Sequence, residues 1–176
     1  MKTQKITLQN NPTGIIQAAE LLKKGELVAF PTETVYGLGA SVWNPAQIAK
    51  IFIAKNRPQD NPLIAHVANQ AQLESLVTEI PDRAQKLIEA FWPGPLTLLF
   101  KKKSTVPDAV TAGLPTICVR MPANKEALEL IETVGEPLAA PSTNLSRRPS
   151  PTNRDHVLKD MDGRIAAVLD AVSTQF

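Results

Sequence analysis

The sequence is poor in the residues that build covalent or metal staples: among 176 residues there are one cysteine and two histidines. A lone thiol cannot close an intrachain disulfide. Cys118 lies inside the apolar run Ile117-Cys118-Val119 and reads as a buried, inert side chain suited to a reducing compartment. Cys118, His66 and His156 together do not make a usual structural zinc set, so no metal-ligating residues are expected. No stretch approaches the roughly 20 apolar residues that span a bilayer. The opening Met1-Lys2-Thr3-Gln4-Lys5 leads into a short alternating segment and not an apolar block, so a soluble, cytoplasmic protein without a signal peptide or membrane contact is expected. An excess of one charge is also missing. The formal net charge of +2 gives no strong pull toward nucleic acid by itself. Neither a Walker-A glycine loop, a GxGxxG turn nor a GxSxG elbow occurs, which removes the commonest nucleotide cradles and the α/β-hydrolase nucleophile.

What is present is a chain of alternating patterns. Strands are expected at Lys5–Leu8, Leu27–Phe30, Leu63–Val67, Leu96–Phe100, Thr116–Met121, Leu138–Ala140 and Ile165–Leu169. Ile15, Ala18, Ala19 and Leu22 repeat at helical spacing after Pro12 and before Gly25. Asn44-Pro45 opens a second helix with Ile48, Ile51 and Phe52 inward, and this helix delivers Lys55 near its end. A third helix carries Ala84, Leu87, Ile88 and Phe91 and stops before Trp92-Pro93-Gly94-Pro95; a fourth spans Lys125–Val134. The interleaving predicts an α/β or α+β domain on a largely mixed sheet. At 43% hydrophobic, without repeats or linkers, residues 1–176 read as one domain. Fifteen prolines mark the junctions.

Four junctions place polar groups directly after an apolar element, where open α/β sheets tend to bind ligands. The segment Pro31-Thr32-Glu33-Thr34-Val35-Tyr36-Gly37-Leu38-Gly39 offers hydroxyls and close backbone approach, or is simply a tight polar turn. Lys55 and Arg57, on a chain bent by Pro58, can reach one polyanion, or Lys55 merely complements a helix end. His66, in the apolar run Leu63–Val67, reads locally as a hydrogen-bonded strand residue. Arg120 follows Thr116 and Cys118 on one strand face and needs an anionic partner, either a substrate carboxylate or one of the seventeen acids. The fourth segment, Pro141 to Pro151, carries Ser142, Thr143, Asn144, Ser146, Arg147, Arg148 and Ser150, a set suited to phosphate or ribose or to a plain loop.

In this order the segments PTETVYGLG (31–39), the KxR of Lys55 and Arg57, NPLIAHV (61–67), WPGPLTLLF (92–100) and the SxN of Ser142 and Asn144 resemble the YrdC-like family of threonylcarbamoyl-adenylate synthases. The likeness runs from about Gly14 to about Leu169. It implies a twisted mixed sheet flanked by helices around a concave basic groove. The implied activity is that of a nucleotidyltransferase turning L-threonine, bicarbonate and ATP, with Mg²⁺ carried by the nucleotide, into threonylcarbamoyl-adenylate and pyrophosphate. Downstream threonylcarbamoyl transferase proteins would then modify the adenosine beside a tRNA anticodon. By the same resemblance Arg57, Asn61, Thr116, Ser142 and Ser150 contact ATP, with Lys55 and Asn144 completing a catalytic KxR and SxN tetrad. Thr34, His66, Arg120 and the backbone of Ala140 hold L-threonine. Family members continue past Leu169-Asp170 with a Gly/Pro-rich turn and a Ser/Thr-containing strand that closes over both substrates. Here Ala171–Phe176 follows, read as a short form or as one in which Ser173-Thr174 is a remnant of that strand. The alternative class of function is a non-catalytic module binding structured RNA or tRNA through the same groove, to which Lys101-Lys102-Lys103 and Arg147-Arg148 would contribute.

Overall fold

The computed structural model describes residues 2–171, so the Ser173-Thr174 reading lies outside the described residues. Among them, eight strands form one mixed sheet in the order β1-β8-β2-β3-β7-β4-β6-β5, comprising β1 (Gln4–Thr7), β2 (Val28–Phe30), β3 (Gly37–Ser41), β4 (Ile64–His66), β5 (Leu98–Lys101), β6 (Thr116–Arg120), β7 (Leu138–Ala139) and β8 (Ala167–Asp170). Parallel pairs join β1 to β8, β8 to β2 and β4 to β6; the remaining neighbours are antiparallel. The helices are α1 (Gly14–Lys23), α2 (Pro45–Lys55), α3 (Gln70–Leu76), α4 (Asp82–Phe91), α5 (Asp108–Thr111), α6 (Lys125–Val134) and α7 (Arg154–Met161). The expected α/β class with a mixed sheet is the one observed.

Period-two alternation divides the strands between two cores. On one face Val28, Phe30, Leu138, Ala167 and Leu169 pack beneath α1 and α6, whose Ile15, Ala18, Leu22, Ala127, Leu130 and Ile131 are buried. On the other face Ala29, Ala65, Val67, Ile117 and Val119 pack against α2, α5 and α7. The two faces differ in extent. Helices α1 and α6 cover the β1-β8-β2 side, whereas over β4, β6 and β5 the same face is open. There Ile64, Thr116 and Cys118 are half-buried and Leu99, opposite Cys118 in the ladder, is 64% exposed. This uncovered half is the floor of a groove.

Four helices and one strand differ from the sequence reading. α3 and α7 are short and weakly apolar, yet both start at an asparagine whose side chain accepts a hydrogen bond from the amide three residues on: Asn69 from Gln72 and Asn153 from His156. Asn44 and Asn124 cap α2 and α6 likewise, each such cap being worth about 1 kcal/mol. α5 is a single turn behind Pro107. β3 consists of Gly37-Leu38-Gly39-Ala40-Ser41, all buried, so the glycines read as turn residues are strand residues pressed against Phe30 and Ala140. In α4, Ala84 and Ile88 face the core while Leu87 and Phe91 lie outward, 40% and 56% exposed.

Candidate functional site

A cavity of about 310 Å³ opens where helical cover ends on the groove face, at the junction of the four polar segments. Thr32, Val35 and Gly37 form one wall, Ala140 and Ser142 another, and Arg57 with Pro62 the mouth; Ile64, His66 and Arg120 form the floor. Parallel pairing of β4 with β6 sets His66 opposite Arg120, which is why residues 54 apart in sequence share this floor.

Arg120 is buried and held on three sides. Its Nε donates to the Gly94 carbonyl at 3.2 Å, Nη1 and Nη2 donate to Thr34 Oγ1 at 3.3 and 3.4 Å, and Nη2 pairs with the Glu33 carboxylate. Burial acts to raise the Glu33 carboxyl, but the Arg120 hydrogen bond, nearby backbone amides and the Arg120 charge together outweigh it and hold the group below the usual range. Thr32 Oγ1 knots the same segment, donating to Val35 O at 2.6 Å and accepting from the Thr34 and Val35 amides. His66 is buried at the cavity floor, with Phe30 edge-on at 6.4 Å; burial, reinforced by the Arg120 charge, lowers its pKa to about 4, so the imidazole is neutral near pH 7.

Lys55 and Arg57 part company. Arg57 turns into the cavity mouth, with Nη2 3.3 Å from the Pro62 carbonyl. Lys55, the last residue of α2, is buried behind it, and its ammonium donates to the Ser142 carbonyl and, at 2.6 Å, to the Asn144 carbonyl. Its own carbonyl accepts from the Ser146 amide at 2.9 Å. Burial, then the nearby Arg57 charge, lowers the Lys55 pKa to about 8. Lys55 thus fastens the loop that carries Ser142, and Asn144 fastens it further by donating to the carbonyls of Leu145 and Arg148 at 2.9 and 2.8 Å. Tyr36 closes the assembly from the other side: its amide donates to the Pro151 carbonyl, its carbonyl accepts from Thr143, and its phenol reaches Asp170, which Arg154 also holds at 2.7 Å.

Of the expected site residues, Arg57, His66, Arg120, Ala140 and Ser142 line one cavity, with Thr34 touching Arg120, and Lys55 and Asn144 one layer behind. Asn61 is exposed beside Pro62 at the rim. Thr116 lies four residues from Arg120 on the same strand face, about 13 Å along the groove. Ser150 borders a separate recess of about 270 Å³ with Arg148, Pro151 and His156. Glu33 is the acid that pairs with Arg120, a role the sequence leaves open among seventeen acids, and Thr32, one of the hydroxyls of the same segment, knots that segment in place. The lysine run does not converge on the cavity: Lys102 pairs with Asp108 at 2.8 Å and Lys103 donates to the Glu74 carbonyl at 2.7 Å.

Residues 20–175 match the family Sua5_yciO_yrdC, described as telomere recombination. The threonylcarbamoyl-AMP synthase of Bacillus subtilis (strain 168) is 53% identical over 171 residues, covering 95% of this chain and 49% of that protein. The threonylcarbamoyl-AMP synthase of Pyrococcus abyssi (strain GE5 / Orsay) is 52% identical over 158 residues, 90% of this chain and 46% of its own length. The crystal structure of P. abyssi Sua5 complexed with L-threonine superposes with a TM-score of 0.92 at 48% identity, over 97% of this chain and 50% of that one. The chain therefore spans about half the length of these relatives.

Proposed function

Because this chain belongs to the Sua5/YciO/YrdC family, we propose that it is a nucleotidyltransferase forming threonylcarbamoyl-AMP and pyrophosphate from L-threonine, bicarbonate and ATP. The observation that carries the reading is one cavity lined by two arginines of opposite setting: Arg120 buried and paired, Arg57 open at the mouth. A compact carboxylate suits the first and a polyphosphate the second.

L-Threonine places its carboxylate at Arg120, beside Thr34 Oγ1, with neutral His66 and the Ala140 carbonyl closing round the rest of the amino acid. The Ala140 amide is committed to Ile64 O at 3.0 Å, so its contact runs through the carbonyl. The amine, left as the free base, takes up the carbon of bicarbonate with loss of water. A carbamate oxygen then attacks the α-phosphorus of ATP as the α–β P–O bond breaks and pyrophosphate leaves. No side-chain nucleophile takes part; fixed positive charge steadies the phosphate oxygens, as is general for phosphoryl chemistry. Arg57 and Ser142 contact the phosphates, Asn61, Thr116 and Ser150 the remainder of the nucleotide, while Lys55 and Asn144 keep the Ser142 loop in place. Mg²⁺ arrives with the nucleotide, held by its phosphate oxygens.

The product would go to downstream threonylcarbamoyl transferase proteins acting on tRNA in the cytoplasm. Among the described residues no helix is long and apolar enough to cross a membrane. Structured RNA remains the alternative partner, through exposed Lys101 and Arg147; a steep salt dependence of RNA affinity that outlasts loss of ATP binding would favour it over the synthase reading. The synthase reading is tested by the arginines. Arg57→Ala should raise the KM for ATP at least tenfold and Arg120→Ala the KM for L-threonine at least tenfold. Unchanged constants in both variants would overturn it.

A further inference from the structure

Arg57 and Arg120 line the same 310 Å³ space, and a polyphosphate admitted to it meets two guanidinium groups. A buried, uncompensated guanidinium would draw phosphate strongly, because the interior screens charge poorly. The two differ in one respect. Arg120 has the Glu33 carboxylate on Nη2, whereas among the described residues no carboxylate stands within ion-pair distance of Arg57. His66, the other titratable group on the cavity floor, adds no charge at neutral pH. The inner guanidinium is thus paired with a carboxylate in contact, whereas the guanidinium at the mouth feels only the more distant Asp60 charge and is left open to a ligand.

We infer that Glu33 is a specificity-determining residue that cancels the charge of Arg120 and so keeps polyphosphate off the amino-acid end of the cavity. Arg120 still offers its remaining N–H to a carboxylate, since Glu33, Thr34 and the Gly94 carbonyl occupy only part of the fork and fix its plane. The planar carboxylate of the amino acid is accepted by hydrogen-bond geometry, while a polyanion gains nothing over the mouth and stays at Arg57. The inference rests on the proposed assignment of Arg120 to the amino-acid carboxylate.

Its test is equilibrium binding of L-threonine, by calorimetry, with and without saturating pyrophosphate as the phosphate probe. In the wild type, pyrophosphate should leave the threonine Kd within about twofold. In Glu33→Gln, whose amide still accepts from Arg120 but carries no charge, pyrophosphate should weaken threonine at least fivefold. Glu33→Asp, which keeps the charge, should behave as the wild type. Competition already present in the wild type overturns the inference even if Glu33→Gln fails to fold, as does its absence in a folded Glu33→Gln or its appearance in Glu33→Asp. Arg120→Ala separates the two claims. If Arg120→Ala binds L-threonine as tightly as the wild type, the assignment of Arg120 has failed, not merely the role of Glu33; if it binds threonine more weakly, the pyrophosphate comparisons judge Glu33 alone.

Discussion

Lys55 and Arg57 are two residues apart, and the fold gives them separate tasks. Lys55 is 2% exposed and spends its ammonium on two loop carbonyls, whereas Arg57 is half-buried at the cavity mouth. Removing Lys55 leaves the Asn144 carbonyl without its donor, while the Ser142 carbonyl keeps only the Asn144 amide at 3.1 Å, so Lys55→Ala should lower unfolding stability by roughly 1–3 kcal/mol and weaken ATP through the slackened loop. Arg57→Ala should weaken ATP with stability close to the wild type. Chemical denaturation alongside ATP titration separates them, and equal stability in both variants would contradict the division. The sequence pointed to the pair as a phosphate site but not to this split, because a helix terminus can turn either side chain inward and only the path of residues 142–146 decides it.

His66 makes a prediction about pH. Its pKa is depressed to about 4 in the folded chain against 6.5 in the unfolded one, so above pH 6.5 neither state is protonated and stability does not depend on it. As pH falls from 6.5 toward 4 the unfolded chain takes up a proton the folded one refuses, and stability declines by up to roughly 3 kcal/mol before levelling. His66→Leu should flatten that limb; a limb of unchanged slope would show that other groups produce it.

At the scale of elements, the long periodic pieces were legible and the short ones were not. α1, α2 and α6 carry apolar residues at helical spacing and were expected where they stand. α3 and α7 bury only three and two residues and owe their starts to Asn69 and Asn153, a capping signal available in the sequence but easily outweighed by the surrounding polar residues. Asn153→Ala should therefore cost about 1 kcal/mol and lower the Tm by roughly 2–4 °C, and it should disturb the Ser150-Pro151 turn that leads into α7. A melting temperature equal to the wild type would show that α7 is fixed by Val157 and Met161 alone. β3 escaped recognition because its glycines suggest a turn, yet they are what allow Phe30 and Ala140 to approach the strand closely.

For the whole molecule, the class of fold and the cavity's neighbourhood followed from alternating patterns and from where polar segments end apolar ones. The location of the groove did not, because it depends on α1 meeting α6 across more than a hundred residues and stopping short of β4, β6 and β5. That unequal cover leaves Ile64, Thr116 and Cys118 facing open space and sets Arg120, His66 and Arg57 around one recess. Thr116 and Ser150, outside this recess, mark how far a nucleotide must reach along the groove if both contact it.

The most direct measurement is pyrophosphate release by this protein from ATP with bicarbonate and Mg²⁺, comparing L-threonine, L-serine and no amino acid. Release that requires L-threonine, exceeds that with L-serine and falls in Arg57→Ala and Arg120→Ala is the predicted result. ATP binding without any amino-acid-dependent release, or release indifferent to the amino acid, would contradict the account.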